Sequence, residues 1–204
     1  MALKILKLGD LIKTHTEEEL SAFLHSFETI NAQYIVGADD VQNFLRTKAI
    51  QFEKMDLART YFVMSTYQGI PLVAGYFAIS NKPLSISKKN FATLSKSAKR
   101  RLMGVGYKTE QDSYEISGYL LGQLGKNYSA VARKANTVTG NDLLALSYIE
   151  IKKAHELVGG RILYLECENH YKVEEFYFKN GFSKIEQFKS VNNQSIMIKK
   201  LADL

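Results

Sequence analysis

Two stretches carry residues whose types and spacing could hold a ligand. Gly140-Asn141-Asp142 open an apolar segment that runs to Val158, with Leu143, Leu144, Leu146, Ile149 and Ile151 among its members. A helix starting there presents backbone N–H groups and the positive end of its dipole, where a phosphate would be stabilised. Upstream, Tyr-Glu-Ile-Ser-Gly-Tyr-Leu-Leu-Gly-Gln-Leu-Gly reads as one strand from Ser113 with glycines at 118, 122 and 125. Glycine weakens a strand, so its repetition marks a bulge or the close approach of another chain. A ligand lying alongside as an extra strand suits that pattern. Tyr177 completes the set: Val173, Phe176 and Tyr177 fall at i, i+3 and i+4, so the three share one helix face. From the residues alone it is a half-buried aromatic whose hydroxyl needs a partner.

Periodicity supplies the elements that must position these residues. Glu17 to Glu28 read as a helix capped by Thr16, with acidic residues in the first turn and Leu20, Phe23, Leu24 and Phe27 on one face. A second helix begins near Asp39-Asp40 and continues or restarts through Ile50-Gln51-Phe52 to about Ala58. Thr60–Tyr67 and Leu72–Ser80, joined by Gln68-Gly69, predict an antiparallel hairpin with Pro71 at its entry. A short helix is expected over Leu94, Ala98 and Leu102, and residues 126–140 read as a polar loop. Ile162–Leu165 form an unbroken apolar run, the mark of a strand covered on both faces. The helix after it stops at Gly181, and Phe182 can fold back on its last turn. Ser183–Phe188 and Ser195–Lys199, with a turn at residues 191–194, close the chain as a hairpin.

The totals bound the class. At 204 residues, 46% hydrophobic and 24% charged, the chain is long enough for one domain, 1–204, with a sizeable core. Its single cysteine, Cys167, excludes an internal disulfide, implies a cytoplasmic setting and reads as a small core hydrophobe. His15, His25, His155 and His170 have no zinc spacing, so no metal is expected. The N-terminal apolar run is short and interrupted by Lys4 and Lys7, which argues against a signal peptide, and no stretch reaches the length of a membrane span. Eight of the 27 Lys and Arg and none of the 21 Asp and Glu fall between Asn81 and Thr109, so this stretch, within a basic, insert-like segment at about 81–112, supplies the whole net charge of +6. A solvated face and a polyanion-binding face are both open readings of it.

The ending Phe176-Tyr177-Phe178-Lys179-Asn180-Gly181-Phe182 resembles the FYxKxGF signature of GNAT N-acetyltransferases, and the order of elements is similar to theirs. The resemblance implies an α+β fold with a central mixed, mostly antiparallel twisted sheet flanked by helices on both faces. It implies an acetyl-CoA co-substrate and direct transfer of the acetyl group to a primary amine. Tyr177 would act as general acid to the departing CoA thiolate. Leu124, Gly125 and Lys126 would offer backbone groups to the pantetheine, Gly140, Asn141, Asp142 and Leu143 would surround the pyrophosphate, and Asn169 would contact CoA. One departure stands out: the family's phosphate loop, Gln/Arg-x-x-Gly-x-Gly/Ala, is Thr137-Val138-Thr139-Gly140-Asn141-Asp142 here. A carboxylate pointing inward there disfavours pyrophosphate, whereas one capping the helix does not. Arg133 and Lys134 in the preceding stretch are candidate phosphate contacts.

Direct transfer needs a neutral amine, a donor to the thioester carbonyl and a proton for the thiolate. A backbone N–H near Leu124 or Gly125 can serve the carbonyl, and Glu115 is the candidate base. The helices before Thr60-Tyr61-Phe62-Val63 are similar to a toxin-like branch that acetylates aminoacyl-tRNA, for which Lys99, Arg100 and Arg101 would contact phosphates. A small amine or a protein amine is a second acceptor class, and a homodimer is compatible with the resemblance. A non-catalytic module binding acyl-CoA or nucleic acid is the reading from another class.

Overall fold

The computed structural model describes residues 3–30, 37–104, 106–109, 113–190 and 192–204, with backbone alone for Arg101, Met103 and 187–189. The chain divides into two compact units, 1–80 with 122–147, and 81–121 with 148–204. One seven-stranded sheet runs in the order β1 (Lys4–Lys7), β2 (Arg59–Tyr67), β3 (Ile70–Asn81), β7 (Gly118–Lys126), β8 (Ile162–Cys167), β10 (Ser195–Lys200), β9 (Ser183–Lys189), and a three-stranded sheet in the order β4 (Leu84–Ile86), β6 (Tyr114–Ile116), β5 (Tyr107–Lys108). All pairs with a described register are antiparallel except β7 with β8.

In the first unit, β1 (Lys4–Lys7) and α1 (Leu8–Thr14) precede α2 (Glu17–His25). Thr16 caps α2, as the sequence predicts, and does so in a reciprocal box with Glu19; the helix stops at His25. β1 lies outside the sequence expectations because four residues flanked by lysines carry too little pattern. It is registered against β2 from Lys4↔Met64 to Lys7↔Tyr61. The next helical stretch breaks at Lys48 into α3 (Ala38–Thr47) and α4 (Ala49–Lys54). β2 (Arg59–Tyr67) and β3 (Ile70–Asn81) form the expected hairpin. Gln68 and Gly69 both take positive φ, 51° and 81°, the turn that matches strand twist. Leu8, Leu20, Leu24, Phe27, Leu45, Phe62, Val73 and Tyr76 make the core.

The second unit begins with the basic segment. β4 (Leu84–Ile86), α5 (Lys88–Thr93), α6 (Lys96–Met103), β5 (Tyr107–Lys108) and β6 (Tyr114–Ile116) alternate there, with Ser87 and Ser95 capping the two helices. The strand expected from Ser113 is in fact two: β6 ends at Ile116 and β7 (Gly118–Lys126) begins after Ser117. β6 joins the small sheet, whereas β7 enters the large one beside β8 (Ile162–Cys167). α7 (Ala130–Ala135), which belongs to the first unit, occupies the stretch expected to be a loop, and α8 (Gly140–Val158) begins in that unit and ends in the second. α9 (Tyr171–Lys179), β9 (Ser183–Lys189) and β10 (Ser195–Lys200) complete the chain. Of the expected final turn, Val191 lies outside the described residues. Leu84, Ile86, Leu102, Ile116, Ile162, Tyr164, Ile196 and Ile198 belong to this unit's core.

Candidate active site

Tyr177 stands in the last turn of α9, 9% exposed. The helix closes as its sequence predicts: Gly181 takes φ +80°, and the Phe182 N–H donates to the Tyr177 carbonyl at 3.1 Å. The Phe182 ring then meets the Tyr177 ring edge-on at 5.4 Å. Burial holds the Tyr177 phenol well above its ordinary range, and Cys167 and Tyr148 add to the effect. Tyr177 is therefore a protonated O–H donor at any physiological pH. Cys167 is buried and free, its thiol pushed up to about 11 chiefly by burial. A thiol in that state is no nucleophile.

Sequence reasoning did not single out Tyr148, the aromatic residue of an otherwise aliphatic and charged stretch of α8. Its hydroxyl is buried without a hydrogen-bond partner among the described residues, and Lys199 Nζ sits 4.9 Å from its ring centroid. Burial pushes its phenol up to about 12. An isolated tyrosine in a helix gives no sequence signal of this kind, because its surroundings come from β10 and α9.

The Asn169 side chain is engaged within the protein. Its Nδ2 donates to the Asn193 carbonyl at 2.7 Å and its Oδ1 accepts from Ser195 Oγ at 2.5 Å, so the amide faces the start of β10. Ser195, fully buried, also lies 2.6 Å from Glu174 Oε1, which pairs with Lys184 Nζ at 2.6 Å. One serine proton serves the two acceptors, and the lysine neutralises the carboxylate in a partly buried cluster. Asn169 is a structural tie in this arrangement.

The phosphate-ready stretch lies in the first unit. Thr139 caps α8 in a reciprocal box: its N–H and Oγ1 donate to Asp142 Oδ2 at 2.8 and 2.6 Å, and the Asp142 N–H donates to Thr139 Oγ1 at 3.2 Å. These bonds hold the Asp142 carboxyl below its ordinary range. The Leu143 N–H is taken by the Thr139 carbonyl at 3.2 Å. Asp142 and Leu143 thus use their backbone N–H groups inside the first turn. Gly140 and Asn141 form the first residues of the helix. Lys126 Nζ donates to Asn136 Oδ1 at 2.7 Å, and Arg133 and Lys134 occupy the last turn of α7. Asn127 anchors this end of β7, its buried amide donating to the Ser26 and Val73 carbonyls and accepting from the Glu28 and Ser129 N–H groups. The stretch from β7 to α8 thus carries the cations Lys126, Arg133 and Lys134 and the capping carboxylate Asp142.

The glycines of β7 have reasons the sequence did not suggest. A Cβ at Gly118 would stand 2.4 Å from the Ile162 carbonyl oxygen, and one at Gly125 would stand 2.6 Å from Val41 Cγ1 and 3.1 Å from Phe27. Both are required by the protein's own packing. Among the described residues the β7–β8 ladder comprises three parallel pairs, Gly118↔Ile162, Tyr119↔Leu163 and Leu120↔Tyr164. Leu124, Gly125 and Lys126 lie past that ladder, partly exposed.

Glu115 is on β6, in the small sheet, where its carboxylate accepts from Ser85 Oγ at 3.2 Å and Tyr107 Oη at 3.3 Å. In the basic segment Lys99 is partly inward, donating to the Ala92 carbonyl at 2.8 Å, while Arg100 is exposed; the Arg101 side chain lies outside the described residues. Lys82, Lys88, Lys89, Lys96 and Lys108 are exposed. Among the described residues no cluster of His, Cys, Asp or Glu could hold a metal, and no helix is long and apolar enough to cross a membrane.

No protein-family model and no curated protein sequence matches the chain. Solved structures do. A Tyr-to-Phe mutant of KacT superposes with a TM-score of 0.63 at 16% identity, over 100% of this chain and 97% of that one. AtaT complexed with acetyl-methionyl-tRNAfMet gives 0.62 at 19%, over 99% and 96%. AtaTR bound with AcCoA gives 0.59 at 18%, over 98% and 94%. This likeness shows that the chain shares the α+β fold of these proteins, with a central mixed, mostly antiparallel sheet.

Proposed function

We propose that this protein transfers acetyl from acetyl-CoA to the α-amine of an aminoacyl-tRNA. The observation that carries the reading is Tyr177, a buried phenol kept protonated at the end of α9 on a GNAT fold. In this reading the amine lone pair forms the N–C bond, the C–S bond breaks with its electron pair on sulfur, and the Tyr177 O–H donates to that sulfur. The proton released by the ammonium restores the hydroxyl, with Glu115 as the candidate base. A base on this strand accepts from two hydroxyls already, which orients it without neutralising it. Backbone groups of Leu124, Gly125 and Lys126 hold the pantetheine, and Lys126, Arg133 and Lys134 offset the pyrophosphate charge together with the first turn of α8. The tRNA reading rests on the acid-free basic segment, whose exposed cations Lys82, Lys88, Lys89, Lys96, Arg100 and Lys108 suit a polyphosphate backbone. The AtaT complex with an acetylated tRNA, on the same fold, supports it.

The Asp142 carboxylate at the head of α8 favours a second reading, a module that binds RNA without turnover. Labelled acetyl-CoA incubated with charged total tRNA, deacylated tRNA and a lysine peptide separates them. Label on charged tRNA alone is the expected result. Label on peptide alone would replace the acceptor class, and label on none, with no thermal shift by acetyl-CoA, would leave the binding module.

A further inference from the structure

Along β10 the side chains of Ser195, Met197 and Lys199 alternate onto one face. Ser195 and Met197 are fully buried, and Ser195 Oγ lies 2.6 Å from Glu174 Oε1 of α9, so this face meets α9. Lys199 is a half-buried lysine in a row that packing alone would fill with an apolar side chain. Its Nζ donates to the Asn180 carbonyl at 3.0 Å and stands 4.9 Å from the Tyr148 ring centroid. A Cβ at Gly181 would be 3.3 Å from the same nitrogen, so the ammonium lies against the turn that closes α9. Its described partners are a helix-end carbonyl and a ring face, with no carboxylate among them.

These contacts lead to Tyr177. The Asn180 N–H donates to the Tyr177 carbonyl at 3.1 Å, and Asn180 Nδ2 donates to the Phe176 carbonyl at 2.8 Å. One residue thus joins the Lys199 ammonium to the backbone of Tyr177. The helix is held to the sheet on both sides of that tyrosine. Three residues before it, Glu174 meets Ser195 and pairs with Lys184 Nζ at 2.6 Å; three residues after it, Asn180 accepts from Lys199.

We propose that Lys199 is a positioning residue for Tyr177, fixing the end of α9 so that the Tyr177 hydroxyl stays aimed at the thioester sulfur. This rests on the acetyl-CoA reading above. An ammonium suits the site because the last carbonyls of a helix and the negative end of its dipole attract a cation, and the Tyr148 ring adds a cation–π contact. Tyr177 carries its hydroxyl at the far end of a rigid side chain, so a small rotation of the helix end displaces it. A misplacement of about 1 Å costs on the order of 10²-fold in rate. An apolar residue at 199 would fill the space without holding the carbonyl, while the Glu174 tie would keep the helix docked.

Steady-state acetyl transfer to charged tRNA by Lys199→Met and Lys199→Arg, each also made in a Tyr177→Phe background, tests the role. Lys199→Met should lower kcat by about tenfold or more with KM for acetyl-CoA nearly unchanged. Lys199→Arg keeps a donor for the carbonyl and a cation for the ring, and should recover most of the loss. In the Tyr177→Phe background Lys199→Met should change kcat little, because the residue it acts through is already gone. Amide hydrogen exchange should quicken at residues 180 and 182 in Lys199→Met and stay as in the wild type at residue 174. Lys199→Gln, which removes the charge and keeps an N–H donor, carries the same comparison if Lys199→Met does not fold. Wild-type kcat in the variant, or the same fractional loss with and without the Tyr177 hydroxyl, would overturn the positioning role and leave the acetyl-CoA reading intact. A wild type that transfers no acetyl group would remove that reading and this role with it.

Discussion

Replacing Asp142 by alanine should move stability and cofactor affinity in opposite directions. The substitution removes the carboxylate that accepts from the Thr139 N–H and Oγ1, leaving α8 with half a capping box. Loss of such a cap costs about 1 kcal/mol, which for a protein of this size lowers the melting temperature by about 2–4 °C. The same substitution takes a negative charge from the helix end proposed to face a pyrophosphate. Two unit charges about 8 Å apart interact by about 0.5 kcal/mol in water and about 2 kcal/mol at an effective dielectric of 20. Asp142 is mostly solvated, so the gain lies toward the lower figure, and CoA should bind roughly threefold tighter. Calorimetric titration with CoA at low and high salt, beside thermal melting, measures both. The affinity gain should shrink at high salt while the stability loss persists. The pH dependence has a definite sign. The folded Asp142 carboxyl is depressed by its bonds to Thr139, so the cap contributes above the unfolded value of about 4 and is lost as pH falls through the folded one. The stability gap between variant and wild type should therefore close in acid. Unchanged or weaker CoA binding at low salt would refute the placement of the pyrophosphate at the head of α8.

Tyr177→Phe should cut acetyl transfer by about 10²-fold or more with little change in CoA affinity, measured by steady-state turnover and calorimetry; full turnover would take Tyr177 out of the mechanism. Joint neutralisation of Lys82, Lys89 and Arg100 should reduce the slope of log affinity for tRNA against log salt by about 2, and an unchanged slope would return the segment to a solvated face. Gly118→Ala places a methyl group 2.4 Å from the Ile162 carbonyl oxygen, so it should lose about 1–3 kcal/mol in a denaturant melt. Wild-type stability retained in that variant would mean that the β7–β8 register can shift. Asn127→Ala strands the N–H groups of Glu28 and Ser129 and the carbonyls of Ser26 and Val73, and a loss of about 1–3 kcal/mol is expected in the same melt.

Where the sequence was legible, the cause of structure was local. Thr16 and Glu19 cap α2 across three residues, Gln68-Gly69 turn the hairpin with two positive φ angles, and Gly181 with Phe182 closes α9. Each of these depends on neighbours within one turn, so residue type and spacing suffice. The same locality located Tyr177 on its helix face and Thr139-Gly140 at the start of a long helix. It also raised the question of Asp142, which the cap with Thr139 answers.

The rest was settled by partners distant in sequence. β1 is a strand because β2 pairs with it, and the segment from Ser113 becomes two strands because β4 claims one half and β8 the other. Gly118 and Gly125 are glycines on account of Ile162, Val41 and Phe27, and no spacing within β7 could say so. The Asn169 amide turns to Ser195, 26 residues away, and the Tyr148 ring lies against Lys199 of β10. By itself the sequence determined where the proposed chemistry would sit, at a tyrosine on a glycine-closed helix end and at the head of a long helix. Which hydroxyls are left dry and unpartnered, and which amides are already engaged, depends on packing between elements, and only the tertiary structure decided it.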